Sequence, residues 1–279
     1  MVSLITSGSR VRPMHDVGEF IGWNHGEAQV YKARWNGQPA VLKRFGRIKK
    51  YACEVYGYRV WQAQMPRLLH TDLERLELVL EWVEAECALN LEQTEAIYVA
   101  AGRALRQMHD AAPLHVPFDD GKLDLERILG SFFPRAEGVL DAWQVERVAD
   151  MTRDLLDTSW PPTVLRHGDY TARNWLWDGA KLTVIDPEHS RPGPAVLDMA
   201  KMHNDGLPPE LARAFQQGYG REWSGQEARM LNTGLCIQAL TLAVWCHEHA
   251  DAEGLESMRS ALERLLASSP PCPFPQAPR

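Results

Sequence analysis

The sequence predicts an α+β chain in two parts, a small mixed β-sheet region with one helix through residue 84 and a larger, mostly helical region after it. Three observations predict this. Strand-like segments gather before residue 84 around an Asn36-Gly37 hairpin signal, helical periodicity takes over after residue 85, and the formal charge changes sign between the two regions. Residues 1–84 carry 12 basic and 9 acidic side chains, whereas residues 85–279 carry 18 and 28, within a net charge of −7 for 279 residues. Such a split suggests two regions with different electrostatic tasks.

Between residues 16 and 45 the pattern is one of strands. Glu27–Trp35 and Pro39–Phe45 flank Asn36-Gly37, a pair that tolerates the positive φ of a two-residue turn. A helical stretch over about 47–64 is closed by Pro66, and short strands near 67–70 and 76–82 complete the first region. After that, Asn90 with Gln93 three residues on resembles a capping box. Leu91, Tyr98, Ala101, Leu105 and Met108 then recur at helical spacing, and further helices are expected near 138–157, 195–204, 208–218, 225–248 and 253–266. The exception is 163–186, where the apolar pieces Thr163–Arg166, Trp175–Trp177 and Leu182–Ile185 bracket polar loops. The expected domains are therefore 1–84 and 85–267. A tail over 268–279 holds Pro270, Pro271, Pro273, Pro275 and Pro278 and is expected to be disordered.

Composition narrows the classes. With 45% apolar and 24% charged residues the chain is globular, which excludes collagen-like, coiled-coil and wholly disordered proteins. The acidic balance argues against a nucleic-acid binder held by phosphate neutralisation. Cys53, Cys87, Cys236, Cys246 and Cys272 are scattered without a Cys-x-x-Cys pair, so neither a disulfide framework nor a zinc knuckle is expected. A reduced, cytoplasmic setting follows. No basic stretch leads into an apolar run at the N-terminus, and Leu235–Cys246 is too short to cross a bilayer, which takes about 20 residues. The sequence assigns no oligomeric state.

The chemistry is concentrated in Val164-Leu165-Arg166-His167-Gly168-Asp169-Tyr170-Thr171-Ala172-Arg173-Asn174, followed by Leu182-Thr183-Val184-Ile185-Asp186. An Asp and an Asn five residues apart on one polar loop, with a second Asp just past an apolar strand, suit metal-assisted phosphoryl transfer. One carboxylate faces the attacking hydroxyl, while the Asn and the second carboxylate hold Mg²⁺ against a triphosphate. Upstream, Ala40-Val41-Leu42-Lys43 is similar to the Val-Ala-Ile-Lys strand of kinases, and Glu54 in the following helix is the natural partner of Lys43. No Gly-x4-Gly-Lys-Ser/Thr sequence is present, which argues against a P-loop enzyme. His247 and His249 flank Glu248, but their i, i+2 spacing points them to different sides of a helix, unlike a His-Glu-x-x-His pair.

These motifs resemble the aminoglycoside phosphotransferase and choline kinase family, small-molecule kinases of the protein-kinase-like fold, over roughly residues 16–250. His-Gly-Asp at 167–169 and Asp186-Pro187-Glu188 in place of Asp-Phe-Gly favour the small-molecule branch over protein kinases. The resemblance implies a two-lobed fold with Asp169 as catalytic base, Asn174 and Asp186 as metal ligands, and Lys43 with Glu54 positioning the phosphates. Asp198, in Leu197-Asp198-Met199-Ala200, would support the catalytic loop, and His167 would brace it. Arg173 could face phosphate, acceptor or solvent. Glu81-Trp82-Val83-Glu84 looks like the hinge that receives the adenine through backbone groups of Glu81 and Val83.

One departure concerns the nucleotide loop between the first two strands. Aligned on Val30, the three glycine places hold Trp23, His25 and Ala28. Gly22 and Gly26 are the candidates for contact with nucleotide, or else residues of a hairpin turn. The expectation is an ATP- and Mg²⁺-dependent phosphotransferase acting on a hydroxyl of a small molecule, with no nucleic-acid or membrane partner. The acidic excess after residue 84 predicts an amine-bearing, cationic acceptor. The alternatives are a pseudokinase or nucleotide-binding scaffold, and an atypical protein kinase.

Overall fold

Asn36 and Gly37 turn the chain with φ of 51° and 79°, which places both central residues of the hairpin in the left-handed region, as a type I′ turn requires. In the computed structural model this turn joins β2 (Ala28–Trp35) to β3 (Gln38–Phe45). The structure describes residues 16–22, 28–111, 121–161, 163–204 and 207–267. The chain divides into two compact units, one of residues 1–51 with 67–83 and the other of residues 52–66 with 84–279. Helix α1 (Ile48–Val60) starts in the first unit, and its residues from Ala52 onward belong to the second.

The first unit is built on a five-stranded sheet. β1 (Asp16–Phe20) pairs with β2, β2 with β3, β3 with β5 (Glu77–Glu81), and β5 with β4 (Leu68–Asp72), all antiparallel. The β2–β3 ladder is unbroken from Ala28↔Phe45 to Trp35↔Gln38. Ala33, Ala40, Leu42 and Val79 form a buried cluster backed by Tyr31, Trp35 and Leu69. Because the side-chain period is two, this register sends Leu42 to one face and Lys43 to the other.

The second unit is mostly helical. β6 (Glu86–Cys87) leads through a 3-10 turn to α2 (Glu95–Ala111); α3 (Gly121–Ser131), α4 (Phe133–Ala136) and α5 (Ala142–Asp157) follow. Short strands β7 (Thr163–Arg166), β8 (Trp175–Trp177), β9 (Leu182–Val184) and β10 (Arg191–Pro194) come next. They form two small antiparallel sheets, β10-β7 and β6-β8-β9. A 3-10 turn over Ala195–Met199 then leads to α6 (Ala200–Asn204), α7 (Pro209–Tyr219), α8 (Gly225–Glu248) and α9 (Ala252–Ala267). α2 packs on α7, and α8 on α9. Trp61, Trp175, Tyr170 and Phe215 are fully buried. The Trp61 indole N–H donates to the Met108 carbonyl at 2.9 Å and the Tyr170 hydroxyl to the Ala101 carbonyl at 2.8 Å, so α2 is tied both to the end of α1 and to the loop after β7.

Two expectations are corrected. Asn90 and Gln93 form no capping box: the Gln93 side-chain amide donates to the carbonyls of Ala88 and Leu91, closing a 3-10 turn, and the helix starts four residues later than that box implies. Thr94 caps it instead, receiving the Ile97 N–H on Oγ1 at 3.5 Å. Helices α3 and α4 occupy a stretch where none was expected. The proline-rich tail over 268–279 lies outside the described residues. None of the described helices is long and apolar enough to cross a membrane.

Candidate functional site

β7 ends at Arg166 and the chain turns sharply at Gly168, whose φ is +78°. A Cβ there would collide with the carbonyl of His189, so both the backbone angle and the space exclude a side chain. The turn is held from beneath by Asp198, which is 2% exposed. Its Oδ2 accepts the His167 N–H at 2.8 Å and its Oδ1 the Gly168 N–H at 2.7 Å. His109 Nε2 lies 3.0 Å from the same Oδ2, and His109 Nδ1 lies 2.9 Å from the Tyr219 hydroxyl. Burial pushes the Asp198 carboxyl up, but the hydrogen bond from His109 and the nearby Arg166 guanidinium outweigh it and hold it below its ordinary range.

His167 is fully buried. Its Nε2 is 2.9 Å from the Ile185 carbonyl, and its Nδ1 accepts the Asp169 N–H at 3.3 Å. Burial pushes its pKa down, so the ring is neutral with the proton on Nε2. Both nitrogens are committed to backbone groups, which leaves the ring to brace the loop.

The Asp169 side chain is 7% exposed and receives four hydrogen bonds. Lys201 Nζ donates to Oδ1 at 2.7 Å, Arg173 Nη2 to both oxygens at 2.8 Å, and Asn174 Nδ2 to Oδ2 at 3.2 Å. Burial raises the carboxyl's pKa, yet the charges of Lys201 and Arg173 and the bonds they donate prevail and hold it well below the usual carboxylate range. Asn174 also donates to the Asp169 carbonyl at 2.8 Å, and its own carbonyl accepts the Ile185 N–H at 2.9 Å. The Asp169–Asn174 loop is thereby stitched to the end of β9.

Asp186 follows directly, with φ of 66° and ψ of 56°, a left-handed conformation uncommon outside glycine that is frequent at functional sites. Its carboxylate gathers with those of Glu54 and Glu188, one oxygen from each lying within 4.8 Å of the others. Glu54 is fully buried, and Glu188 is paired with His189 at 3.1 Å. An all-oxygen carboxylate set of this kind suits a hard cation such as Mg²⁺.

The remaining candidates lie in the first unit. Lys43 is 6% exposed in β3, paired in register with Val30 and Leu78, and its ammonium sits 5.5 Å from the centroid of the Phe45 ring. Gly22 stands just past β1, where the Ile21 N–H donates to the Val30 carbonyl at 2.9 Å. Gly26 lies outside the described residues. Glu81 ends β5 and accepts the Arg67 N–H at 2.9 Å, and Val83 is the last residue of this unit.

The structure thus joins Asn174 to Asp169 and to Ile185, the residue before Asp186, and adds two residues to which the sequence assigned no role. Glu188 stands two positions after Asp186, a second carboxylate that could have been noticed. Lys201 reaches Asp169 from 32 positions away, with no local signal to mark it. In the His247-Glu248-His249 run, Glu248 pairs with Arg135 and His249 stacks on Trp245.

Comparisons with known proteins bear on the fold and the family. A choline/ethanolamine kinase family protein from Mesorhizobium loti superposes with a TM-score of 0.72 at 17% identity, covering 92% of this chain and 90% of that one. A thermostable mutant of aminoglycoside phosphotransferase APH(4)-Ia, in a ternary complex with ADP and hygromycin B, gives 0.69 at 14% identity over 91% and 95%. Spectinomycin phosphotransferase APH(9)-Ia, in complex with ADP and spectinomycin, gives 0.66 at 16% over 90% and 93%. These likenesses establish the fold, an antiparallel-sheet lobe and a helical lobe of the protein-kinase-like kind. No curated protein matches the sequence. The family profile described as "Phosphotransferase enzyme family" (APH) matches residues 24–231, most of the chain and every motif from Lys43 to Asp198, and the chain belongs to that family.

Proposed function

We propose that the protein transfers the γ-phosphate of ATP, with Mg²⁺, to a hydroxyl of a small molecule. The observation that carries this is the junction at Asn174. One of its side-chain donors binds Asp169 and its carbonyl binds the residue before Asp186, so the candidate base and the candidate metal carboxylate are fixed to one another. The likeness to structures solved with ADP and an antibiotic supports the nucleotide and the small acceptor.

In this reading the acceptor oxygen forms its bond to the γ-phosphorus as the bond to the β,γ-bridging oxygen breaks, ADP leaves, and the hydroxyl proton passes to Asp169. The transition state is loose, so orientation of the hydroxyl counts for more than base strength. A strongly acidic Asp169 is compatible with that task, because it stays charged and accepts a hydrogen bond at any physiological pH. Asn174, Asp186 and Glu188 would hold Mg²⁺, which supplies charge neutralisation at the phosphates. Lys43 would bind phosphate oxygens with Glu54 as its partner, Gly22 and Gly26 would lie in the nucleotide loop, and the backbone of Glu81 and Val83 would receive adenine. His167 and Asp198 hold the loop in place.

Two observations bear on the acceptor's charge, and they disagree. The net charge of residues 85–279 favours an amine, whereas the two cations on Asp169 favour an anion. ATP consumption in the presence of Mg²⁺ against a panel of amino alcohols, polyols, hydroxy acids and amino-sugars tests the reading. Acceptor-dependent ADP release supports it; nucleotide binding without turnover on any alcohol would instead indicate a nucleotide-binding scaffold.

A further inference from the structure

We infer that the acceptor alcohol carries an oxyanion, a carboxylate or phosphate, close to the hydroxyl that is phosphorylated, and that Lys201 is the residue that selects it. This rests on the phosphotransfer reading. An ionised carboxylate offers about four lone-pair sites, and Asp169 already receives four hydrogen bonds, one from Lys201, two from Arg173 and one from Asn174. A hydroxyl can reach it only if one of these donors lets go. Asn174 is fixed by its second bond to the Asp169 carbonyl, so the donor that yields is a cation. A neutral or amine-bearing acceptor gives that cation nothing in exchange for a charge-assisted bond. An oxyanion on the acceptor takes the cation over and frees the carboxylate for the hydroxyl.

Exposure points the same way. The Asp169 side chain is 7% exposed, while those of Lys201 and Arg173 are 31% and 50% exposed, so an approaching molecule meets the cations before the carboxylate. The acidic excess of the helical region is spread over a surface much larger than the Debye length of about 8 Å at physiological ionic strength. Two cations lie within 3 Å of the Asp169 carboxylate oxygens, where the acceptor hydroxyl would be received. Lys201 is singled out because it comes from α6, which packs on α8 among the helices, whereas the carboxylates Glu54, Asp186 and Glu188 gather by α1 and β9. Lys201 is thus delivered by the same short segment that carries Asp198, the clamp of the loop.

The test uses the full chain with Mg²⁺ and ATP in three arms: hydroxycarboxylic acids, sugar phosphates with free hydroxyls, and amino alcohols with neutral polyols of matched skeleton. The expected result is a kcat/KM at least about tenfold higher in one of the anionic arms, and the better arm tells carboxylate from phosphate. Lys201→Met should raise KM for the anionic acceptor by about tenfold or more with KM for ATP unchanged, and Lys201→Arg should recover most of the loss. Preference for amines or neutral polyols overturns the inference and leaves the phosphotransferase intact. A Lys201→Met enzyme whose kcat falls equally on every acceptor at constant KM does the same, placing Lys201 on the transferring phosphoryl group, whereas Mg·ATP binding with no alcohol phosphorylated overturns both the inference and the phosphotransfer reading and indicates a nucleotide-binding scaffold. Failure to bind Mg·ATP at all would sink the phosphotransfer reading itself. The acceptor arms stand on the wild-type enzyme, whatever the variants do to folding.

Discussion

The Asp198 carboxylate accepts the Gly168 N–H at 2.7 Å, and through its other oxygen the N–H of the residue before. Two consecutive backbone donors aimed at one buried acid can arise only where the chain is turning, and that turn is what lifts Asp169 out of β7. Asp198→Ala leaves these donors and His109 without an acceptor in a buried place. A loss of about 3–5 kcal/mol is expected, read as a lower urea midpoint. Asp198→Asn, which keeps one carbonyl oxygen, should lose less. Equal stability of Asp198→Ala and wild type would contradict the clamp.

Gly37 and Gly168 both have positive φ, 79° and 78°, but an added Cβ meets open space at the first and the His189 backbone at the second. Gly37→Ala should therefore cost only the conformational term of about 1–2 kcal/mol. Gly168→Ala should cost clearly more and lose activity, because the loop must shift to make room. Chemical denaturation of the two variants side by side checks the order.

Buried His167 sets an acid-side slope. Its pKa is lowered by burial in the folded chain, while the unfolded chain titrates near 6.5. As pH falls through about 6.5 the unfolded state takes up a proton that the native state refuses, so stability declines by up to about 1.4 kcal/mol per pH unit until the folded pKa is reached. Asp169 and Asp198 act in a separate window. Their folded pKa values are depressed, so their contribution is complete above about pH 4 and fades below it. His167→Gln should flatten the profile between pH 7 and 5 and leave the lower window untouched. An unchanged slope in that variant would contradict the assignment.

The carboxylate cluster predicts how metal and nucleotide depend on one another. Asp186→Ala should abolish Mg²⁺-dependent ATP binding without unfolding the chain. Glu188→Gln should raise the Mg²⁺ needed for half-maximal activity by about tenfold or more. Lys43→Ala should weaken ATP and leave the Mg²⁺ requirement as it was. Calorimetric titrations at several Mg²⁺ concentrations separate the three, and retained Mg·ATP affinity in Asp186→Ala would remove that residue from the site.

What was legible in the sequence was what is decided locally. Asn36-Gly37 states its own turn, and the strands on either side follow from it. His167, Gly168, Asp169 and Asn174 lie within eight positions of each other, so their meeting needs little more than one loop. The errors came where a side chain had a better partner than the pattern supposed: Gln93 closes a 3-10 turn instead of capping a helix, because the Ala88 and Leu91 carbonyls lie within reach. Lys201 was invisible because its meeting with Asp169 depends on how α6 is laid down after Asp198, a tertiary matter. The charge split averages over a whole region, whereas the contacts at Asp169 are local, and the two point to acceptors of opposite sign.

Transfer of the γ-phosphate from labelled ATP to an alcohol, measured in wild type and in Asp169→Asn under the same Mg²⁺, bears most directly on the assignment of this site. Asn keeps the size and polarity of Asp169 but removes the charge that, in the proposed reaction, orients the hydroxyl and receives its proton. The expected result is labelled product from wild type, a kcat lower by about 10² or more in the variant, and Mg·ATP affinity nearly unchanged. Wild-type turnover in Asp169→Asn would contradict it.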